Sequence, residues 1–156
     1  MKSISVVMAV HNGSKFLRES LNSVIFQLAD EDELIVIDDA SSDNSLEIIN
    51  EYKKSVKIIK NSTNMGQTKS LNIGIKNAKG DIIVRLDADD FFLSNHLSLH
   101  RQSYEQDKNL VMFGSSVIII DDDGNKGDVI GESLDTKGMI CKSLIQPPIC
   151  HPAMSF

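Results

Sequence analysis

The segment Ile83-Val84-Arg85-Leu86-Asp87-Ala88-Asp89-Asp90 runs from an apolar strand straight into three carboxylates within four residues. Carboxylates crowded at a strand end repel one another and lose hydration, so stability alone does not account for them. A divalent cation neutralises them. Mg²⁺ and Mn²⁺ take oxygen ligands, commonly one or two carboxylates together with the phosphates of a substrate. The cluster therefore reads as a site for Mn²⁺ or Mg²⁺ and for something anionic. A second acidic stretch, Asp38-Asp39 with Ser41-Ser42-Asp43, follows another apolar run and serves equally well as a helix cap. In the pair, one side chain is expected to support the loop and the other to face a ligand. A third, Asp121-Asp122-Asp123-Gly124-Asn125, has the composition of a hairpin turn and is assigned no chemistry.

The elements that must position these groups alternate. Ile4 to Val10 reads as a buried strand, His11-Asn12-Gly13-Ser14 as a turn with Ser14 as N-cap, and Leu17, Leu21, Val24, Ile25 and Leu28 recur at helical spacing. Glu33 to Asp38 is a second strand, Ser41 to Asn44 opens a second helix, and Val56 to Ile59 is a third strand. A polar loop, Asn61 to Gly66, leads into a helix with Leu71, Ile75 and Ala78 on one face, and Asp81 to Leu86 is the fourth strand. This order predicts an α/β sandwich, Rossmann-like, with a mostly parallel central sheet and helices on both faces. Ligands bind such sheets beyond the carboxyl ends of the strands, where His11-Asn12, Asp38-Asp39 and Asp87 to Asp90 are expected to converge. Beyond residue 90, Ser94 is the expected cap of a surface helix through Tyr104 that carries His96 and His100 into solvent. Leu110 to Ile120 reads as one extended run returning through a β-hairpin at Val129-Ile130, and Thr136 to Leu144 as a short helix. The last residues, 149–156, have the pattern of an element interior, which reads as a chain cut short at its C-terminus.

A chain of 156 residues suffices for one domain, and its 41% hydrophobic and 24% charged content is that of a globular protein. A net charge of −6 argues against nucleic acid as a partner. Cys141 and Cys150 lack CxxC or zinc spacing and read as buried thiols in a reducing, cytoplasmic setting. No segment reaches the length of a membrane span, which leaves peripheral membrane association open.

Taken together, four segments resemble the family 2 glycosyltransferases, whose nucleotide-binding domain has the GT-A fold. They are Ser5 to Gly13, Ile35 to Asp43, Asn64-Met65-Gly66-Gln67 through Asp81, and the DxD motif Leu86-Asp87-Ala88-Asp89-Asp90. His151-Pro152-Ala153-Met154 is similar to the family strand before the acceptor-binding part. The resemblance implies a single GT-A-like domain, with a nucleotide-binding half over 1–90 and a partial acceptor half over 91–156. It implies a metal-dependent, inverting transfer of sugar from a nucleotide diphosphate, UDP by preference, to a saccharide or lipid-linked acceptor in polysaccharide biosynthesis.

Residue by residue, the resemblance makes Asp89 the metal ligand and sets Asp87 and Ala88 against the ribose or donor sugar. It has Asp39 accept the uracil imide N–H and Ala9, Val10 and His11 flank the ring. Lys69 stands where the family often carries a basic residue near the nucleotide; on a helix face it reads equally as solvated. Asp90 has two readings, a further ligand or a cap on the following turn. His11 has two, stacking on a base or simply turning the chain, and His151 has two, the acceptor side or a structural histidine at a strand entry. The sequence departs from the family at Ala9 (usually Pro), His11 (usually aromatic) and Ala40 (usually Gly). The last is compatible with the fold only if position 40 does not need a positive φ. The family's carboxylate general base lies beyond the strand resembling His151 to Phe156, so donor binding without efficient transfer is expected of these residues.

Three other functions use similar parts. A phospho-receiver domain needs its acidic pair after the first strand, which here ends in His11-Asn12. A sugar nucleotidyltransferase needs a Gly-rich phosphate loop where His11-Asn12-Gly13-Ser14-Lys15 stands. A catalytically silent nucleotide-binding module would share the whole donor pocket.

Overall fold

Strand β1 (Ile4–Val10) is buried along nearly its whole length, and its alternate side chains feed two separate cores. In the computed structural model, which describes residues 1–121, 123–131, 138–139 and 151–156, β1 lies in the middle of a six-stranded sheet. It pairs in parallel with β2 (Glu33–Asp38) on one side, in register Val10 to Asp38, and with β4 (Ile82–Arg85) on the other. β3 (Lys57–Lys60) extends the parallel set beyond β2. The order is β3-β2-β1-β4-β8-β5, with β8 (Met154–Ser155) antiparallel between β4 and β5 (Phe113–Gly114). The Leu110 to Ile120 run is thus not one strand. It divides into β5 and β6 (Val117–Ile120), and β6 pairs antiparallel with β7 (Lys126–Ile130) as the expected hairpin.

Helices cover both faces. Leu17, Leu21 and Val24 of α1 (Leu17–Ile25), Ile48 and Ile49 of α2 (Ser45–Glu51), and Leu97 and Tyr104 of α4 (His96–Gln106) pack on Val6, Met8, Val36 and Val84. On the other face α3 (Gln67–Asn77) brings Leu71 and Ile75 to Val7, Ile35 and Ile37. The approach of α3 is close: a Cβ on Gly74 would lie 2.4 Å from Val7 Cγ1 and 2.6 Å from Ile37 Cδ1. Neither expected serine caps its helix. α1 starts at Leu17 with no side-chain cap from Phe16, and α4 starts after Asn95, whose φ of 68° turns the chain in.

His96 and His100 correct the expectation of a solvated face. His100 is fully buried, and α4 turns both rings inward into a column of Phe92, His96, His100 and Phe113, with successive centroids 4.0, 4.3 and 4.8 Å apart. His100 Nδ1 lies 2.7 Å from Ser155 Oγ, which also reaches the Tyr104 hydroxyl. Arg101, one residue on, is buried as well, holding Asp32 at 2.6 Å and the Lys2 carbonyl. Cys141, Cys150, Asp122 and all but residues 138–139 of the helix expected over Thr136 to Leu144 lie outside the described residues.

Candidate functional site

The strand order reverses between β1 and β4, and the loops after β1, β2 and β4 leave the sheet there on the same edge. They enclose a cavity of about 560 Å³, within the range of small-molecule sites. Ala9, Val10, His11, Asp39, Asp87, Ala88 and Asp89 all line it, so seven of the expected residues meet at one place. Asn12, Gly13, Lys15, Phe16, Asn64, Gly66 and Gln67 complete the lining. Lys69 is exposed on α3 and is not part of it. His151 begins a short 3₁₀ turn, His151–Ala153, that leads into β8; its side chain lies outside the described residues.

Asp39 holds one wall together. Only 2% exposed, its Oδ1 accepts from Asn61 Nδ2 at 2.7 Å and from the Met65 N–H at 2.9 Å, and its Oδ2 accepts from the Gly66 N–H at 2.8 Å. Burial pushes this carboxyl up, but those donors outweigh it and hold it below the usual carboxylate range. The expected division of labour between Asp38 and Asp39 therefore shifts. Asp39 both supports the Asn61 to Gly66 loop and faces the cavity, with one lone pair of Oδ2 left over. Asp38 is wholly buried, accepts from the Ser41 N–H through Oδ1, and has no partner for Oδ2 among the described residues.

The loop after β1 is fastened to the loop after β2. Asn12, with a φ of 54°, accepts from the Ser42 and Asp43 N–H groups through Oδ1. Asp43 accepts from the N–H groups of Ser14 and Ser45, so it joins the first turn to the start of α2. His11 Nδ1 lies 2.9 Å from the Asp39 carbonyl. A carbonyl only accepts, so Nδ1 carries the proton and Nε2 accepts from Asn12 Nδ2 at 3.3 Å. Ala40 fails the condition set on it: its φ is 56°, in the left-handed region that favours glycine.

At the end of β4, Asp87 Oδ1 accepts from Arg85 Nη2 at 2.5 Å and from Gln67 Nε2 at 2.8 Å. Arg85 is nearly buried, and its Nε and Nη1 have no partner among the described residues. Asp89 is exposed at the cavity. Asp90 is half-buried; burial, then the charges of Asp89 and Asp87, push its carboxyl above the usual range against the pull of Arg85. Among the described residues no three His, Cys, Asp or Glu side chains form a closed metal cage. An open site does not need one, because a hard cation is satisfied by one or two carboxylates and substrate phosphates. The donor set is all oxygen, which is the ligand type that Mn²⁺ or Mg²⁺ takes, so these residues fit such an ion.

Residues 5–156 match the family described as glycosyl transferase family 2. The chain belongs to that family. A putative glycosyltransferase, EpsE of Bacillus subtilis, is 32% identical over 152 residues, which cover 95% of this chain and 54% of EpsE. A poly-beta-1,6-N-acetyl-D-glucosamine synthase of Staphylococcus epidermidis is 40% identical over 91 residues, 57% of this chain and 22% of the synthase. Among solved structures, S. aureus TarS 1-349 in complex with UDP-GlcNAc aligns with a TM-score of 0.64 at 28% identity, over 77% of this chain and 34% of TarS. The fold is thus the GT-A fold of this family, with the mostly parallel sheet and separate hairpin described above. The chain spans about half the length of the first curated relatives it matches.

Sequence reasoning passed over four of the residues that shape the site. Arg85 and Gln67 lay inside quoted motifs, but only the fold brings them together on Asp87. Lys15 and Phe16 read as the start of a helix, and they become wall residues because α1 begins two residues later than a Ser14 cap implies.

Proposed function

We propose that this chain forms the donor side of a metal-dependent, inverting glycosyltransferase that takes a UDP-sugar. One observation carries the reading: carboxylates from the ends of β2 and β4 and the imidazole from the end of β1 meet in one cavity at the switch point of a parallel sheet. The spare lone pair of Asp39 Oδ2 accepts the uracil imide N–H, and a base lacking a donor there is rejected because it would leave a buried acceptor unpaired. His11, fixed in one tautomer by the Asp39 carbonyl, presents its ring with Ala9 and Val10 to the base. Asp87, oriented by Arg85 and Gln67, faces the ribose or donor sugar beside Ala88.

Asp89, at the cavity wall, would hold Mn²⁺ or Mg²⁺, with Asp90 next to it in the chain. When bound, such an ion neutralises the diphosphate and acts as a Lewis acid toward the departing oxygen. The acceptor is a saccharide or a lipid-linked saccharide in polysaccharide synthesis, a reading supported by the name of the Staphylococcus epidermidis relative. A lipid-linked acceptor suits peripheral association with a membrane. Among the described residues no helix is long and apolar enough to cross one. His151 marks the acceptor side, on the 3₁₀ turn that feeds β8 next to β4. None of the described residues is assigned as general base.

Calorimetric titration of the 156-residue chain with UDP in the presence of Mn²⁺ tests the reading. Saturable binding is expected, weakened at least about ten-fold in Asp39→Asn and made metal-independent in Asp89→Asn. Absence of UDP binding, or binding indifferent to both substitutions, would sink it. Robust sugar transfer by this chain to an added acceptor would show that one of its own residues serves as the base.

A further inference from the structure

Charge is unevenly spread along this chain. Residues 53–80 hold seven of its 16 lysines and arginines and none of its 22 acidic residues. The fold gathers that run on one flank. β3 is the outermost strand beside β2, and α3 covers the Val7, Ile35 and Ile37 face. Lys69 and Lys76, two helical turns apart on α3, stand on the side turned away from Leu71, Gly74 and Ile75. Lys57 opens β3 on the same face of the sheet as Ile59, and its Nζ donates to the Asn77 carbonyl at 2.8 Å, which ties the start of β3 to the end of α3. Lys79 follows that end directly, and Lys53 and Lys54 lie in the turn just before β3. All seven lysines but Lys57 are exposed, and none forms an ion pair among the described residues. The acids at the border are engaged elsewhere: Glu51 by Arg18, Asp81 by the Ser3 N–H and hydroxyl, and Glu33 by the Ser5 hydroxyl and the Lys79 N–H.

We propose that the β3–α3 flank docks the protein on a bilayer of acidic phospholipids. The inference deepens the peripheral association named above and rests on it, but not on the identity of the donor. Lysines on an edge strand also deter strand-to-strand association. That accounts for Lys57 and Lys60, which bound β3, but not for Lys69, Lys76 or Lys79, which lie off the edge. A protein partner calls for an apolar or aromatic centre inside a polar rim, and single-stranded nucleic acid for aromatic platforms. Residues 53–80 contain no aromatic residue. Flexible point charges without such a centre fit a fluid anionic surface, whose head groups move to wherever the ammonium groups stand. The rest of the chain, acidic in balance, is repelled by that surface, so the flank defines one docking orientation. Gln67, in the first turn of α3, lines the cavity, so this orientation keeps the cavity beside the surface that would carry a lipid-linked acceptor.

Co-sedimentation with vesicles tests it, comparing pure phosphatidylcholine with a mixture containing about a third phosphatidylglycerol. The wild-type chain should bind the mixed vesicles, not the neutral ones, and release them as salt is raised. Each lysine near an anionic leaflet strengthens binding about five-fold, so Lys54→Gln with Lys76→Gln should weaken it at least about ten-fold. Lys108→Gln with Lys126→Gln changes net charge equally, off the flank, and should stay within about two-fold of the wild type. All four lysines are exposed and none lines the cavity, so melting and UDP binding should be unchanged in both variants. A wild type that ignores the mixed vesicles at low salt overturns the inference, and if it still binds UDP the donor reading stands. Equal losses in the two variants overturn it too, since net charge alone would then act. So does equal binding to neutral vesicles, which would assign the association to apolar surface. Tighter binding to polyuridylate than to the mixed vesicles, lost in the flank variant, would overturn it in favour of nucleic acid.

Discussion

Acidification should strip this fold of stability well before its carboxylates titrate. Burial lowers the His96 imidazole to about 4, and burial together with His96 lowers His100 to about 3. The cause is visible in the structure: neither Nε2 has a hydrogen-bond partner among the described residues, so a proton added there is held by nothing. In the unfolded chain both rings titrate near 6.5. Below that value the unfolded state binds more protons, so stability rises with pH and is lost as pH falls below 6.5, until the folded values are reached. Each pH unit in that window costs about 1.4 kcal/mol per ring. Between about pH 7 and pH 5 each histidine therefore contributes a loss of about 2 kcal/mol, and the pair about 4 kcal/mol. That is a large share of the roughly 5–15 kcal/mol that holds a domain together.

Asp90 works against this trend. Its raised carboxyl gives stability that is present in acid and lost as pH rises through its folded value. Asp32, Asp39 and Asp43, all held low, lose theirs only as pH falls below their unfolded value of 3.8, outside the window. The assay is urea unfolding at about pH 7, 6 and 5 in wild type and in His96→Phe, which keeps the stack on Phe92 and removes one proton site. The fall from neutral to pH 5 should drop from about 4 to about 2 kcal/mol in the variant. A wild type equally stable at both pH values, or a variant with the wild-type pH dependence, would refute the reasoning.

Two further substitutions probe the scaffold of the site. Ala40→Gly relieves a left-handed residue, worth about 1–2 kcal/mol, against the greater freedom glycine has when unfolded. A net gain of about 0.5–1 kcal/mol in chemical denaturation is expected, and a loss would show that the alanine is not strained. Gly74→Ala pushes a methyl group into Val7 and Ile37 and should cost about 1–3 kcal/mol, read from the same unfolding curves.

Much of the donor half was legible because its strands are buried on both faces and read as unbroken apolar runs, β1 and β2 above all. The convergence of His11, Asp39 and Asp87 followed from a general property of parallel sheets. Polar residues misled where they are buried. His100 and Arg101 look like solvent residues by type, yet they stand three and four positions after Leu97, with Tyr104 three beyond Arg101, on one inward stripe. That spacing was the available signal, and it was outweighed by residue chemistry. Ala40 could not be read at all, since nothing about alanine announces a positive φ. Leu110 to Ile120 gave the extended conformation but not the break between β5 and β6, because pairing partners far along the chain decide it.

The position of β8 bears on when the protein can assemble. Ser155 pairs with Val84 and Phe113, and it meets His100 and Tyr104 through its hydroxyl. Until the ribosome has released these residues, β4 has an open edge beside the acidic loop and β5 has no partner in the main sheet. Pairings this distant in sequence close slowly, and an exposed edge is a template for association with other chains. A chain that lacked these residues would keep the parallel pairings of β1 to β4 but leave the flank of β4 open to association.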